Sequence, residues 1–138
     1  MKIKELRVWN KSVFRKIFES KEIKVLRAQM ESTPDDPAVH FNLGAAYEKV
    51  GRAKDAICEF EETLKGNPKS AEAHYNLALL HEKLGEGENA IHHILKAGNL
   101  FSNKNDQVNK MEARGLLLQY YRKFNFKPED FPQADLKE

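Results

Sequence analysis

His40, His74, His81, His92 and His93 are the side chains of this 138-residue sequence best suited to metal binding or proton transfer, and Cys58 is its one thiol. Their spacing favours neither chemistry. His92 and His93 are adjacent, so on a helix they point about 100° apart and share a metal poorly without a third ligand. His74 and His81 stand seven residues apart on one helix face and His40 repeats His74, a pattern that structural packing accounts for. A lone cysteine closes no intramolecular disulfide, builds no cysteine-rich metal site and reads as a small helix filler in a reducing compartment. The sequence holds no HExxH, no GxSxG and no phosphate-cradling glycine loop. The expectation is a chain without catalytic residues, metal or cofactor.

The pattern that positions these histidines is a repeat. HFNLGAAYEKVGRAKDAICEF from His40 returns 34 residues later as HYNLALLHEKLGEGENAIHHI from His74. The shift superposes Asn42 on Asn76, Leu43 on Leu77, Glu48 and Lys49 on Glu82 and Lys83, Gly51 on Gly85, and Ala56 with Ile57 on Ala90 with Ile91. A period in this range marks a stacked array. His40, Leu43, Gly44 and Tyr47 follow i, i+3, i+4, i+7, one face of a helix, and Ala56, Phe60 and Thr63 make a second such face after Gly51. Gly44 and Ala56, matched by Ala78 and Ala90, are small where two antiparallel helices must approach. Gly51 and Gly85 can take the positive φ that ends a helix, Pro37 and Pro68 punctuate the hairpins, and Asp36 and Ser70 read as N-caps.

With these residues in place the sequence resembles the tetratricopeptide repeat family. The first copy, 37–70, carries Leu43, Gly44, Tyr47, Gly51, Ala56, Phe60 and Pro68 at that repeat's spacing. The second, 71–104, carries Leu77, Ala78, Gly85, Ala90, Ile94 and Ala97, with His81 in place of the aromatic residue and Ser102 in place of the proline. His40 and His74 depart from the family's usual large aromatic. The resemblance implies an all-α fold, a short right-handed superhelical array of antiparallel helix-turn-helix hairpins with flanking capping helices. Its organisation is read as a basic amphipathic arm or degenerate repeat over 1–33, repeats over 34–70 and 71–104, a capping helix over 105–124 and an irregular tail over 125–138. On the capping helix Val108, Met111, Gly115 and Leu118 read as the buried stripe, with Leu116 and Leu117 beside it as a contact for self-association. Phe126 and Phe131 read as anchors for the tail, which could also enter the protein's own groove.

Chemistry absent, recognition is what remains. When hairpins stack with a small rotation, their first helices line a concave groove that holds extended or helical peptide segments. Phe41, Ala45, Tyr75 and Leu79 would make it apolar, Asn42 and Asn76 can each donate to and accept from a peptide backbone, and Lys110 is read as a further groove residue. The resemblance also allows a comparison with family members that clamp the acidic C-terminus of heat-shock chaperones. The clamp positions here are Phe41, Ala45, Asn76, Asp106 and Lys110, of which only Asn76 and Lys110 match, so that specificity is not expected. The leading expectation is a non-enzymatic adaptor or scaffold binding a protein or peptide.

Charge supplies the alternative. The net charge is +2, yet residues 1–18 hold six basic side chains against Glu5 alone, about +5 against −3 for the remainder. Lys4, Arg7, Trp9, Lys11, Phe14, Arg15 and Phe18 could form a basic amphipathic helix that attaches to an anionic membrane or a partner helix. No recognised motif supports nucleic-acid binding. No apolar run approaches the roughly 20 residues that cross a bilayer. A cytoplasmic chain is expected, with the inner face of a membrane as the alternative, and the imperfect ends of the array suggest homo-oligomers.

Overall fold

The computed structural model describes residues 20–132, which form six α-helices, one 3-10 turn and no strand. The helices are α1 (Lys21–Ser32), α2 (Pro37–Lys49), α3 (Ala53–Gly66), α4 (Ala71–Lys83), α5 (Gly87–Asn103) and α6 (Gln107–Phe124), and the 3-10 turn is Pro128–Asp130. Successive helices pack against each other along the chain, α2 with α3 and α4 with α5 most extensively. This is an all-α array of antiparallel helix-turn-helix hairpins. The residues read as an N-terminal attachment, Lys4 through Phe18, lie outside the described part.

Side chains and turns set the helix ends. Ser20, Asp36, Ser70 and Asp106 each accept a backbone N–H of the first turn, from Ile23, Ala38, Ala73 and Asn109, at 2.9–3.2 Å. These bonds satisfy amides that have no partner within the helix. The tight α2–α3 turn closes on Arg52 N–H donating to the Tyr47 carbonyl at 2.9 Å, with Gly51 at φ 77°. The α4–α5 turn repeats this with Glu86, His81 and Gly85 at φ 76°. After α5 and α6 the left-handed residue is Asn105 (φ 58°) and Asn125 (φ 57°) instead, and the same backbone bond forms from Asp106 to Phe101 and from Phe126 to Tyr121. Asparagine tolerates this region better than other residues bearing a Cβ.

Two core clusters meet at α4. The first joins Ile23 and Leu26 to Leu43, Ala46, Tyr47, Ala56 and Phe60, and takes Ala73, Leu77 and Leu80 from α4. The second takes Ala71 and Ala78 from α4 and adds Ala90, Ile91, Ile94, Ala97, Phe101, Ala113 and Tyr120. Phe60 is wholly buried, and a Cβ on Gly44 would lie 3.0–3.1 Å from its ring. The glycine therefore sets the α2–α3 separation.

Two expectations for the C-terminal part need correction. Val108, Met111 and Leu118 are exposed, and α6 packs through Ala113 and Tyr120, with Leu116, Leu117, Tyr121 and Phe124 partly buried beside them. Leu116 and Leu117 are thus core contacts and not a free surface for self-association. The tail is also built in as far as Phe131, which is 6% exposed. Its ring sits 5.3 Å from those of His92 and Phe126 and 6.1 Å from that of Tyr121, so Phe131 packs against α5 and α6.

Candidate functional site

α2, α4 and α6 each begin on a side-chain cap and follow a tight turn or loop, which brings corresponding faces of the three helices side by side. Two adjoining clefts open there. One, of about 330 Å³, is lined by Ala38, Phe41, Asn42, Asn67 and Glu72 among others. The second, of about 240 Å³, lies between Phe41, Glu72, Tyr75, Asn76, Phe101, Asn109 and Glu112. Phe41 and Glu72 belong to both, so the clefts form a continuous surface.

Each groove aromatic is fixed by a core phenylalanine. Phe41 meets Phe60 edge-on at 5.4 Å and Tyr75 meets Phe101 edge-on at 6.4 Å, leaving both groove rings half-buried. The Tyr75 hydroxyl donates to Glu112 at 2.6 Å across the gap between α4 and α6. Burial, reinforced by that hydrogen bond and the Glu112 charge, pushes the Tyr75 phenol up to about 12. Ala45 and Leu79 are half-buried on the same helices.

Asn42 is exposed and Asn76 half-buried, and neither side-chain amide has a hydrogen-bond partner among the described residues. The fold does not use these amides to tie helices together. Lys110 lines neither cleft, and from α6 the second cleft takes Asn109 and Glu112. Lys83 reaches toward Glu48 at 4.0 Å and Lys123 bonds Glu82, ion pairs that link successive first helices at the rim.

The histidines are placed differently from a reading by adjacency. His93 lies beside His74, Nδ1 to Nδ1 at 3.0 Å, and stacks on His81 with ring centroids 5.4 Å apart and planes 1° from parallel. Burial, with His74, His81, Lys96 and His92 adding positive potential, drives His93 down to about 3. His81 is also held by Glu86 at 2.7 Å, a bond that lowers the Glu86 carboxyl. His40 bridges Glu59 and the Pro34 carbonyl, both at 2.6 Å; burial pulls its pKa down, but these hydrogen bonds and nearby carboxylates raise it overall. Among the described residues no group of three or more His, Cys, Asp or Glu side chains is arranged to hold a metal ion, and no helix is long and apolar enough to cross a membrane. The cluster was legible only through the repeat: the 34-residue shift carries Glu59, the partner of His40, onto His93.

Residues 41–98 match the model of a tetratricopeptide repeat family. That segment therefore carries tetratricopeptide repeats, and repeats of this kind support a protein–protein interaction module. Among solved structures it is similar to SycD, the type III secretion translocator chaperone of Yersinia enterocolitica, with 20% identity over 75% of this chain and 72% of that one, at a TM-score of 0.71. It is also similar to a mutant of MamA, with 26% identity over 70% of this chain and 71% of the other, at a TM-score of 0.55. A further MamA crystal structure matches at 19% identity over 73% and 67%, with a TM-score of 0.54. Comparison with curated proteins returns no match.

Proposed function

We propose that this chain is a non-enzymatic adaptor that docks a peptide segment of a partner protein across α2 and α4. One observation carries the reading: on the face where the two clefts adjoin, the amides of Asn42 and Asn76 are unused by the fold, next to the open sides of Phe41 and Tyr75. A partner backbone can exchange N–H and C=O bonds with the two amides, while its side chains cover the rings, Ala45 and Leu79. Glu72 and Glu112 in the clefts favour a segment without dense negative charge. SycD, whose fold this chain shares, is itself a chaperone of a translocator protein, which agrees with a role in holding a segment of another chain.

Selection of a displayed random peptide library on the full chain tests this. Selected peptides are expected to bind an Asn42→Lys, Asn76→Lys variant at least about tenfold more weakly, since each amide hydrogen bond contributes about 0.5–1.5 kcal/mol and the added charge obstructs the face. Unchanged affinity in a variant with native circular dichroism would remove the groove from consideration.

A further inference from the structure

α6 ends the described array with one side uncovered. Val108, Met111 and Leu118 are 78%, 63% and 51% exposed, and with Gly115 they form one stripe along the helix. The caps define what that stripe is. Asp106 holds the Asn109 amide as Ser70 holds the Ala73 amide, so Met111 and Leu118 stand where Tyr75 and Glu82 stand on α4. On α4 those two positions reach across to Glu112 and Lys123 of the following first helix. The stripe is therefore the side by which a first helix receives its neighbour, and here it carries apolar side chains.

Three features specify the neighbour. A Cβ on Gly115 would meet nothing within 4 Å, which leaves an open notch between Met111 and Leu118. Arg114 and Arg122 border the stripe, both exposed and without an ion pair or hydrogen bond among the described residues. By the same register Arg114 replaces the buried Ala78, a position where charge serves no packing role.

We propose that this face docks an acidic amphipathic helix of another protein, with apolar side chains on Met111 and Leu118, a side chain in the Gly115 notch, and carboxylates on Arg114 and Arg122. The charges select this occupant over a second copy, because an isologous contact would bring Arg114 and Arg122 of one copy toward those of the other. The shape and composition of the stripe disfavour a lipid surface: it has no aromatic side chain for the interface, and an open notch suits a protruding side chain rather than acyl chains. The proposal does not depend on the groove of α2 and α4.

The probes are a helical peptide of about 18 residues with leucines at i, i+3, i+7 and i+10 flanked by glutamates, its lysine-flanked counterpart, and phosphatidylserine vesicles, each titrated against the full chain. The glutamate peptide is expected to bind at least about tenfold more tightly than the lysine peptide, and an Arg114→Glu, Arg122→Glu variant to reverse that preference. Gly115→Gln should weaken the glutamate peptide about tenfold without lowering the unfolding temperature, because glutamine favours the helix over glycine. Equal binding of the two peptides, or binding of neither, overturns the proposal. So does a dimer that Met111→Lys dissociates, or vesicle binding that Leu118→Glu abolishes.

Discussion

Gly87 and Phe124 meet across the end of the second hairpin: a Cβ added to Gly87, the first residue of α5, would lie 2.6 Å from Phe124 Cδ1 and 2.7 Å from its Cβ. The last residue of α6 thereby covers the α4–α5 turn. Gly87→Ala must move the ring or the helix start, and overpacking of this kind costs about 1–3 kcal/mol. Urea unfolding should show that loss, and a stability equal to wild type would mean that Phe124 does not hold this position in solution.

Gly44 and Gly115 should respond to alanine with opposite signs. At Gly44 the methyl group meets the buried Phe60 ring at 3.0 Å, which predicts a loss of about 1–3 kcal/mol. At Gly115 nothing opposes it, so helix propensity alone acts and stability should rise by about 0.5–1 kcal/mol.

The second hairpin contains a natural solution to the first clash. The repeat shift carries Gly44 and Phe60 onto Ala78 and Ile94, both buried. Phe60→Ile should therefore recover part of the stability lost in Gly44→Ala, and a double-mutant cycle should give a coupling of about 0.5–3 kcal/mol. Additive effects would show that the two positions are not in direct conflict.

Acid should loosen the second hairpin. The folded pKa of His93, about 3, lies below its ordinary 6.5, so the unfolded chain takes up a proton that the folded one refuses. That contribution to stability is intact above pH 6.5 and is lost progressively as the pH falls toward 3. His40 acts in the other direction, since its folded pKa is raised and its contribution is present below pH 6.5 and lost as the pH rises through the folded value. His93→Gln should flatten the fall in melting temperature between pH 7 and 5, and parallel curves for the two proteins would sink this account.

Tyr75→Phe should keep the contact with Phe101 and lose the bond to Glu112, for a cost of about 0.5–1.5 kcal/mol, nearer the lower figure at this exposed site. A drop well above about 1.5 kcal/mol would mean that Tyr75 serves the core more than the groove.

The hairpins could be read from the sequence because each local choice agreed with the repeat. Gly51 and Gly85 adopt the positive φ expected of them, Asp36 and Ser70 cap, and His40, Leu43, Gly44 and Tyr47 are all buried. The capping helix was misread because two apolar faces overlap on it, and periodicity favours the bulkier stripe of Val108, Met111 and Leu118. Contact with α5 selects the other through Ala113, a small residue in the place of Leu77. His93 was hidden because its neighbours His74 and His81 are distant along the chain, and the turn-forming roles of Asn105 and Asn125 were hidden because asparagine also suits loops without positive φ.

The cap at Ser70 closes a joint that Asp36 closes one unit earlier, and α4 contributes side chains to both core clusters. A duplicate of residues 37–70 spliced in at that joint would present the same faces on both sides, so the groove could lengthen by whole modules. At the other end Arg114 stands in the small-residue position, and a copied module joined there would meet a charge instead of a seat. The array can be extended in its middle, whereas Arg114 sets α6 apart from α2 and α4.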